Sequence, residues 1–529
     1  MSETTGTRRS RPGFLRAVTR RFGTWPLFGV ILVWVVLALV VFTVLGWLWG
    51  EGPLWSWQRW LTNWRGAGVG AGSLDLVKVS LTTIGGIGGT GYLVIKYRER
   101  ASAERAERDA EQDRAEQRLL SGVQQLGSGS PQVRIAGVYS LADVADTYRG
   151  EYRQRVVSIL CGYLRTQRGE WRTIVNEQDG PEQSSEEKVY VSHDGAVEST
   201  VLEVLVRHLR KRREKTKHRE AVTQLVEDDQ LWCDCTIDLH DAVLTEIADF
   251  RGATFTNNAI FRVATFKRDA DFWDAAFTND ANFRGATFNR YADFRGATFT
   301  NDASFQGAAF NGVANFQDAA FNGVANFRGA AFTNVASFRG AAFTNDAYFR
   351  GAAFNGDAYF WGATFTNDAY FWGATFNGDA NFRDATFNGT DFLRATFNHA
   401  NFWDATFNRD ANFWDATFTH NANFWDATFN RDANFRGATF TNNADFGGAT
   451  FNRDANFQGA TFTNNADFQG ATFTRSAPPM GLPPEQVDED GLPHGARWAD
   501  ADDEGLEAGS PDDAPAEGTG PGSAGSAAS

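Results

Sequence analysis

The side chains best suited to chemistry in this 529-residue chain are Cys233, Cys235 and His240, which fall close together. Structural zinc wants four ligands, with paired cysteines two to four residues apart, and here one residue separates the cysteines and a fourth ligand is missing. The alternation reads instead as the start of a β-strand, and no metal is expected. His399 and His420 have no neighbouring cysteine or distinctive acidic partner and read as surface residues. Gly86, Gly88 and Gly91 spell G-x-G-x-x-G, but a dinucleotide loop needs a strand before it and a helix with an acidic ribose ligand after it. These glycines lie inside an apolar stretch that ends in Lys96 and Arg98, where Gly85 and Gly89, four apart, suit close helix packing. The acids scattered through the C-terminal repeat fill its corner positions, so their number is no sign of acid–base pairs. No catalytic residue and no cofactor is expected, and the chain reads as a non-enzyme.

These residues sit on elements that differ sharply along the chain. Residues 1–25 hold Arg8, Arg9, Arg11, Arg16, Arg20 and Arg21, and Pro26 to Trp49 then carries no charge. A helix over 26–49 would span a hydrocarbon core about 30 Å thick. Trp55, Trp57, Trp60 and Trp64 follow, as at a membrane interface, and a less apolar segment runs from about Leu76 to Tyr97, closed by Lys96, Arg98 and Arg100. The spacing predicts a two-helix transmembrane hairpin over 26–97, with both termini cytoplasmic by the positive-inside rule. Residues 98–237 are expected to form a solvated helical stalk and a small α-helical domain, with helices within 132–165 and over about 197–225 and a loop over 170–195. The last helix carries the basic run Arg207, Arg210, Lys211, Arg212, Arg213, Lys215, Lys217 and Arg219, interrupted by Glu214. It reads as a solvated face, with anionic lipid or nucleic acid as lesser readings.

From Phe250 to Phe473 lie 42 of the chain's 46 phenylalanines, spaced alternately five and six apart. Between Phe387 and Phe407 the spacing becomes strictly five, through Phe392, Phe397 and Phe402. Recurrent Gly, Thr and Asn oppose a helix, whereas a short-repeat parallel β-helix accounts for every position. Each Phe, and the Ala two residues before it, is predicted to face inward. Gly, Asn and Asp take the corners, where tight backbone conformations are needed. Residues 238–475 carry 25 acidic and 17 basic side chains, and the Pro-, Gly- and acid-rich stretch 476–529 carries 12 and one; the latter is expected to be a disordered tail.

Units such as Ala248-Asp249-Phe250-Arg251-Gly252 and Ala400-Asn401-Phe402-Trp403-Asp404 resemble the pentapeptide-repeat family, with one residue inserted in every second unit. The resemblance covers about 238–475 and implies a right-handed quadrilateral parallel β-helix of about 11 coils. Gln125-Leu126-Gly127 and Val133-Arg134-Ile135-Ala136-Gly137-Val138-Tyr139 resemble segments of membrane-anchored actinobacterial members. The residue after each central Phe should recur one coil apart, exposing Trp273, Arg295, Trp361, Trp372, Trp403, Trp414 and Trp425 along two faces as a candidate partner surface. The implied function is a membrane-tethered, non-catalytic scaffold for a cytoplasmic protein, with a second copy of the chain as a further candidate partner. Some family members mimic acidic duplex DNA and bind topoisomerases. Here Arg251, Arg262, Arg284, Arg295, Arg328, Arg339 and Arg350 interrupt the acids, which argues against nucleic-acid mimicry.

Overall fold

The computed structural model describes residues 71–175, 186–215, 221–464 and 466–499, together with six helical positions between Val33 and Val44. The chain divides into two units, residues 1–114 and 115–529. Most of the predicted first span, 26–49, lies outside the described residues, as do 500–529. The second predicted span is helical, within α1 (Ala71–Leu126). No helix among the described residues is long and apolar enough to cross a membrane. Asp75, Lys78 and the run of Gly, Thr and Ser between Ser80 and Gly91 dilute the apolar content of this segment. The stalk over 98–120 continues the same helix, with the i,i+4 pair Arg100–Glu104 on its surface.

In the second unit the last turns of α1 pack with α2 (Pro131–Tyr148), α3 (Gly150–Arg165) and α4 (Gly195–Leu209). Leu119, Leu126, Val138, Leu141, Val156, Leu160, Val201 and Leu205 close this core. Helices α1 and α2 approach so closely that a Cβ on Gly137 would meet the Leu126 backbone nitrogen at 2.6 Å. Two expectations are corrected here. Residues 170–195 hold an antiparallel hairpin, β1 (Gly169–Val175) with β2 (Glu186–Ser192), because Trp171, Thr173 and Ile174 pair with Tyr190, Lys188 and Glu187. The helix expected to reach residue 225 stops at Leu209, where successive basic residues would crowd one another along a helix. Beyond it Arg210 reaches Asp249 at 3.1 Å, and Arg213 donates to the Asp274 carbonyl.

From Ile237 the chain winds into a parallel β-solenoid with four faces, each built of short strands in register one coil apart. Ala276 pairs with Thr298 and Ala281 with Ala303, a step of 22 residues. Where the spacing is strictly five the step shortens, as from Thr386 to Thr406. The lost residue is the bulge at a corner. Thr364–Tyr370 and Thr375–Asn381 pair with the six-residue strands Thr386–Asp391 and Thr396–Asn401, shifting register after Phe365 and Phe376. Counting from Ile237 to Trp498 the rod makes about 12 turns.

The interior is four columns of phenylalanine. Phe305, Phe327 and Phe349 stack at 4.8 and 4.9 Å, nearly coplanar, and Phe327 meets Phe316 and Phe338 edge-on at 5.4 and 5.3 Å. Offset stacks along a column and edge contacts between columns are the arrangements that ring quadrupoles favour. The alanines two residues before each Phe, such as Ala325 and Ala330, are fully buried, so the inward assignment stands.

Both ends of the solenoid carry non-repeat structure. At the start, Arg168 and Glu198 form a buried ion pair at 2.5 Å. Glu198 also accepts from the Thr245 N–H and hydroxyl at 2.6 and 2.8 Å, while Arg168 donates to the Val243 carbonyl at 2.7 Å. Trp232 stacks on His208 and donates to Asp146 at 2.9 Å. At the other end the expected disordered tail is corrected over 476–499. Pro478 and Pro479 do not end the ladder, because Met480 donates to Ala455 at 2.9 Å and accepts from Phe457 at 2.8 Å. Arg497–Trp498 then pairs with Thr472–Phe473 as one more rung, and Leu492 is buried against the core.

Candidate functional site

The repeat fixes where its variable side chains go. Where Asn or Asp precedes the central Phe of a five-residue unit it points outward, and its Oδ1 accepts the N–H of the residue after that Phe. Trp273, Arg295, Trp403, Trp414 and Trp425 are held this way at 2.8 to 3.1 Å by Asp271, Asp293, Asn401, Asn412 and Asn423. The chain then turns, with the Phe carbonyl accepting from the Ala N–H three residues on, as from Ala405 to Phe402 at 3.0 Å. The second turn residue has positive φ, which explains Gly at 329 and 340 and Asp at 384, 404 and 426 (φ 54 to 63°). The residue after each central Phe is thereby locked at a corner and repeated along the rod.

Two columns result, bonded coil to coil through turn backbones, as in Asp384 N–H to Trp403 carbonyl and Asp404 N–H to Trp425 carbonyl. One holds Arg251, Trp273, Arg295, Arg339, Trp361, Arg383, Trp403 and Trp425, and the other holds Arg328, Arg350, Trp372, Trp414 and Arg436. Arginines of adjacent coils lie over the rings: Arg295 over Trp273 at 5.0 Å, Arg339 over Trp361 at 4.3 Å and Arg383 over Trp403 at 4.1 Å. In the second column Arg350 lies over Trp372 at 4.0 Å and Arg436 over Trp414 at 5.4 Å. Trp361, Trp372, Trp403, Trp414 and Trp425 nevertheless stay 37 to 45% exposed, whereas Trp273 is half-buried. The structure thus places all seven candidate residues in the two columns and stacks six of them; Trp425 stands apart.

The family model described as pentapeptide repeats (9 copies) matches residues 239–287, 283–331, 327–375, 371–417 and 435–478. The rod belongs to the pentapeptide-repeat family. No curated protein and no solved structure matches the chain. The pentapeptide-repeat solenoid continues unbroken through 418–434, where Phe418, Phe424 and Phe429 keep their stacks.

Charge on the pentapeptide-repeat rod is patterned by the same register. Asp249, Asp271 and Asp293 occupy one column, paired with Arg251 at 2.8 Å and Arg295 at 2.6 Å at its two ends. Burial, and next the neighbouring Asp293, pushes Asp271 up to about 6 despite the Trp273 N–H that it accepts. Burial and the flanking Asp384 and Asp426 likewise raise Asp404. The carboxylate of Asp445 is raised by burial and by Asp467 and Asp426.

The metal-like cluster does not assemble. His240 bonds Asp238 at 2.7 Å and contacts Arg165, and burial pushes Cys161 and Cys235 up to about 12 and Cys233 to about 11, which keeps the thiols protonated at neutral pH. His399 and His420 stack at 4.7 Å on one corner, with Asp379 3.4 Å from His399. Gly86, Gly88 and Gly91 lie within α1, with no strand before them among the described residues. Sequence reasoning missed the tyrosines that thicken the aromatic surface. Tyr348 and Tyr370 stack at 4.9 Å, with Arg328 over Tyr348 at 3.9 Å, and they carry the outward position where most units hold Asn or Asp. That substitution was the available signal.

Proposed function

We propose that this chain is a membrane-tethered, non-catalytic interaction scaffold whose rod presents its two Arg–Trp columns to a cytoplasmic protein. The observation that carries the reading is the exposure of five tryptophans along lateral columns of a rod whose apolar interior is already closed. Trp and Arg are the side chains most enriched at binding hot spots, because each offers large area or several donors at modest entropic cost. Cation–π stacking keeps the rings ordered, so less freedom is lost when a partner covers them.

The tether rests on the uncharged Pro26–Trp49 stretch, its arginine-rich flank and the likeness of the 125–139 segments to membrane-anchored relatives. The second apolar segment, diluted by glycine, is the weaker support. A reporter fused after Ser529 should be active only on the cytoplasmic side; activity restricted to the outside overturns this topology.

The scaffold role is tested by replacing Trp403, Trp414 and Trp425 with Thr together and crosslinking partners in intact membranes. The expected result is loss of crosslinked partners with the melting temperature retained. Loss of thermal stability with partners retained would make the columns a structural ladder alone.

A further inference from the structure

Five of the six repeat tryptophans have an arginine of the same chain over the ring, and Trp425 does not. Where an arginine of the next coil would stand, the column holds Gly447. A Cβ placed there would meet ring carbon Cε3 of Trp425 and Oδ1 of Asp445 at 3.1 Å each. Trp425 is also the most exposed of the rod's tryptophans, at 45%. Its ring is bracketed by carboxylates: Asp426 follows it in the turn, Asp445 lies beside Gly447 and accepts its N–H at 2.9 Å, and Asp404 and Asp467 flank these one coil away. None of Asp404, Asp426, Asp445 and Asp467 forms an ion pair among the described residues; beyond burial, Asp384 and Asp426 raise Asp404 against the pull of Arg383, and Asp467 and Asp426 raise Asp445. The nearest basic side chain of the column, Arg383, is engaged with Asp384 at 3.4 Å and with the Trp403 ring.

We infer that the Trp425 corner receives a basic side chain from outside: an arginine- or lysine-rich segment of the partner protein, its cation stacked on the indole and its charge met by Asp426 and Asp445. The inference rests on the scaffold reading and names the chemistry of the partner at one corner. Charge complementarity selects the occupant. An acidic segment would add to an uncompensated cluster of four carboxylates, and an apolar one would bury them unpaired, both at a cost of desolvated charge. A cation over an indole with adjacent carboxylates gains the ring quadrupole and the Coulomb term together. The opposite column supplies the internal control. There Trp414 has Arg436 over it, and the following Asp415 lies 3.6 Å from Arg394, so both requirements are already met within the chain.

The test is binding of a fluorescein-labelled hexa-arginine peptide to the full chain in detergent, read by anisotropy at low and physiological salt, with a hexaglutamate peptide as control. Trp425→Ala and the double variant Asp426→Asn, Asp445→Asn should each weaken hexa-arginine binding about tenfold, while the double variant Asp280→Asn, Asp302→Asn, which removes the same charge from exposed positions many coils away, leaves it unchanged. Gly447→Arg supplies the missing intrachain cation once the Trp425 ring yields a few tenths of an ångström to its Cβ, and it should abolish binding; a melting temperature within a few degrees of wild type, measured alongside, shows that the rod is still folded. Equal binding by wild type and Gly447→Arg, or equal loss with Asp280→Asn, Asp302→Asn, would overturn the inference as mere attraction to an acidic rod. Partners that crosslink to Gly447→Arg but not to the triple tryptophan variant would reject this corner while leaving the scaffold reading intact.

Discussion

Replacing Phe327 with Ala at mid-rod tests the architecture most directly, because every contact of that ring is internal to the repeat. The side chain is fully buried, stacked between Phe305 and Phe349 and edge-on to Phe316 and Phe338. Truncation removes the ring's transfer free energy and leaves a cavity that the stiff walls of adjacent coils cannot fill, for a cost of about 3–5 kcal/mol. The upper end is expected, since each aromatic pair lost adds about 0.5–1.5 kcal/mol beyond area. Ala325→Leu forces three heavy atoms into a position closed by the neighbouring coils and should cost about 1–3 kcal/mol. Arg328→Gln gives up only its stack on Tyr348, worth about 0.5–1 kcal/mol at an exposed site. Urea unfolding followed by near-ultraviolet circular dichroism should rank the three in that order. The reasoning fails if Arg328→Gln destabilises more than Phe327→Ala, or if Ala325→Leu is silent.

Three further outcomes are expected. Breaking the buried Arg168–Glu198 pair by Glu198→Ala should cost about 3–5 kcal/mol and loosen the first coil, whereas joint replacement by Met and Leu should cost far less, as thermal melts will report. Asp271, raised to about 6, binds protons more tightly in the folded rod than in the unfolded chain, so its contribution is fully present below about pH 4 and is lost as pH rises through about 6. Asp271→Asn should flatten that part of the stability–pH curve, and an unchanged curve would refute the assignment. Truncation after Arg475 removes the rung Arg497–Trp498 and the cover from Leu492, and light scattering should then report self-association through the opened strand edges.

The rod was legible because its interior imposes the same demand on every coil. Phe must meet Phe at the stacking distance, and Ala must fit between, so the five- and six-residue spacing carries both the strands and the inward face. The columns followed from counting one coil ahead, even across Phe387–Phe407, since each corner residue is fixed relative to its own Phe. What escaped reading lacks such repetition. Arg168 and Glu198 stand thirty positions apart in unlike segments, and only folding brings them within hydrogen-bonding distance. The hairpin over 169–192 alternates through charged residues that mask its strands. The cap is interrupted by Pro478, Pro479 and Pro483, yet each proline sits where no ladder N–H is required. Of the corner chemistry, the arginine and tryptophan positions were readable, but which ring lacks a partner was not, because that depends on what stands one coil away.

The distribution of closed and open surface bears on how such a rod can work. A parallel solenoid exposes unpaired backbone only at its two ends, and each coil contacts only its neighbours. Here the first coil is held by α3, α4 and the Arg168–Glu198 pair, and the last is covered by Leu482, Leu492 and Trp498. End-to-end pairing through strand edges is therefore disfavoured on both sides, and the lateral corners are the exposed surface that remains. Those corners are also where sequence varies without cost to the interior: a change from Arg to Trp or from Gly to Asp at a turn leaves the Phe columns untouched. The clustering of exposed tryptophan between Trp361 and Trp425 falls around the coils that lose their corner bulge, where six- and seven-residue strands continue through the corners. A surface free to vary on a scaffold that is not free to move is what selective docking requires.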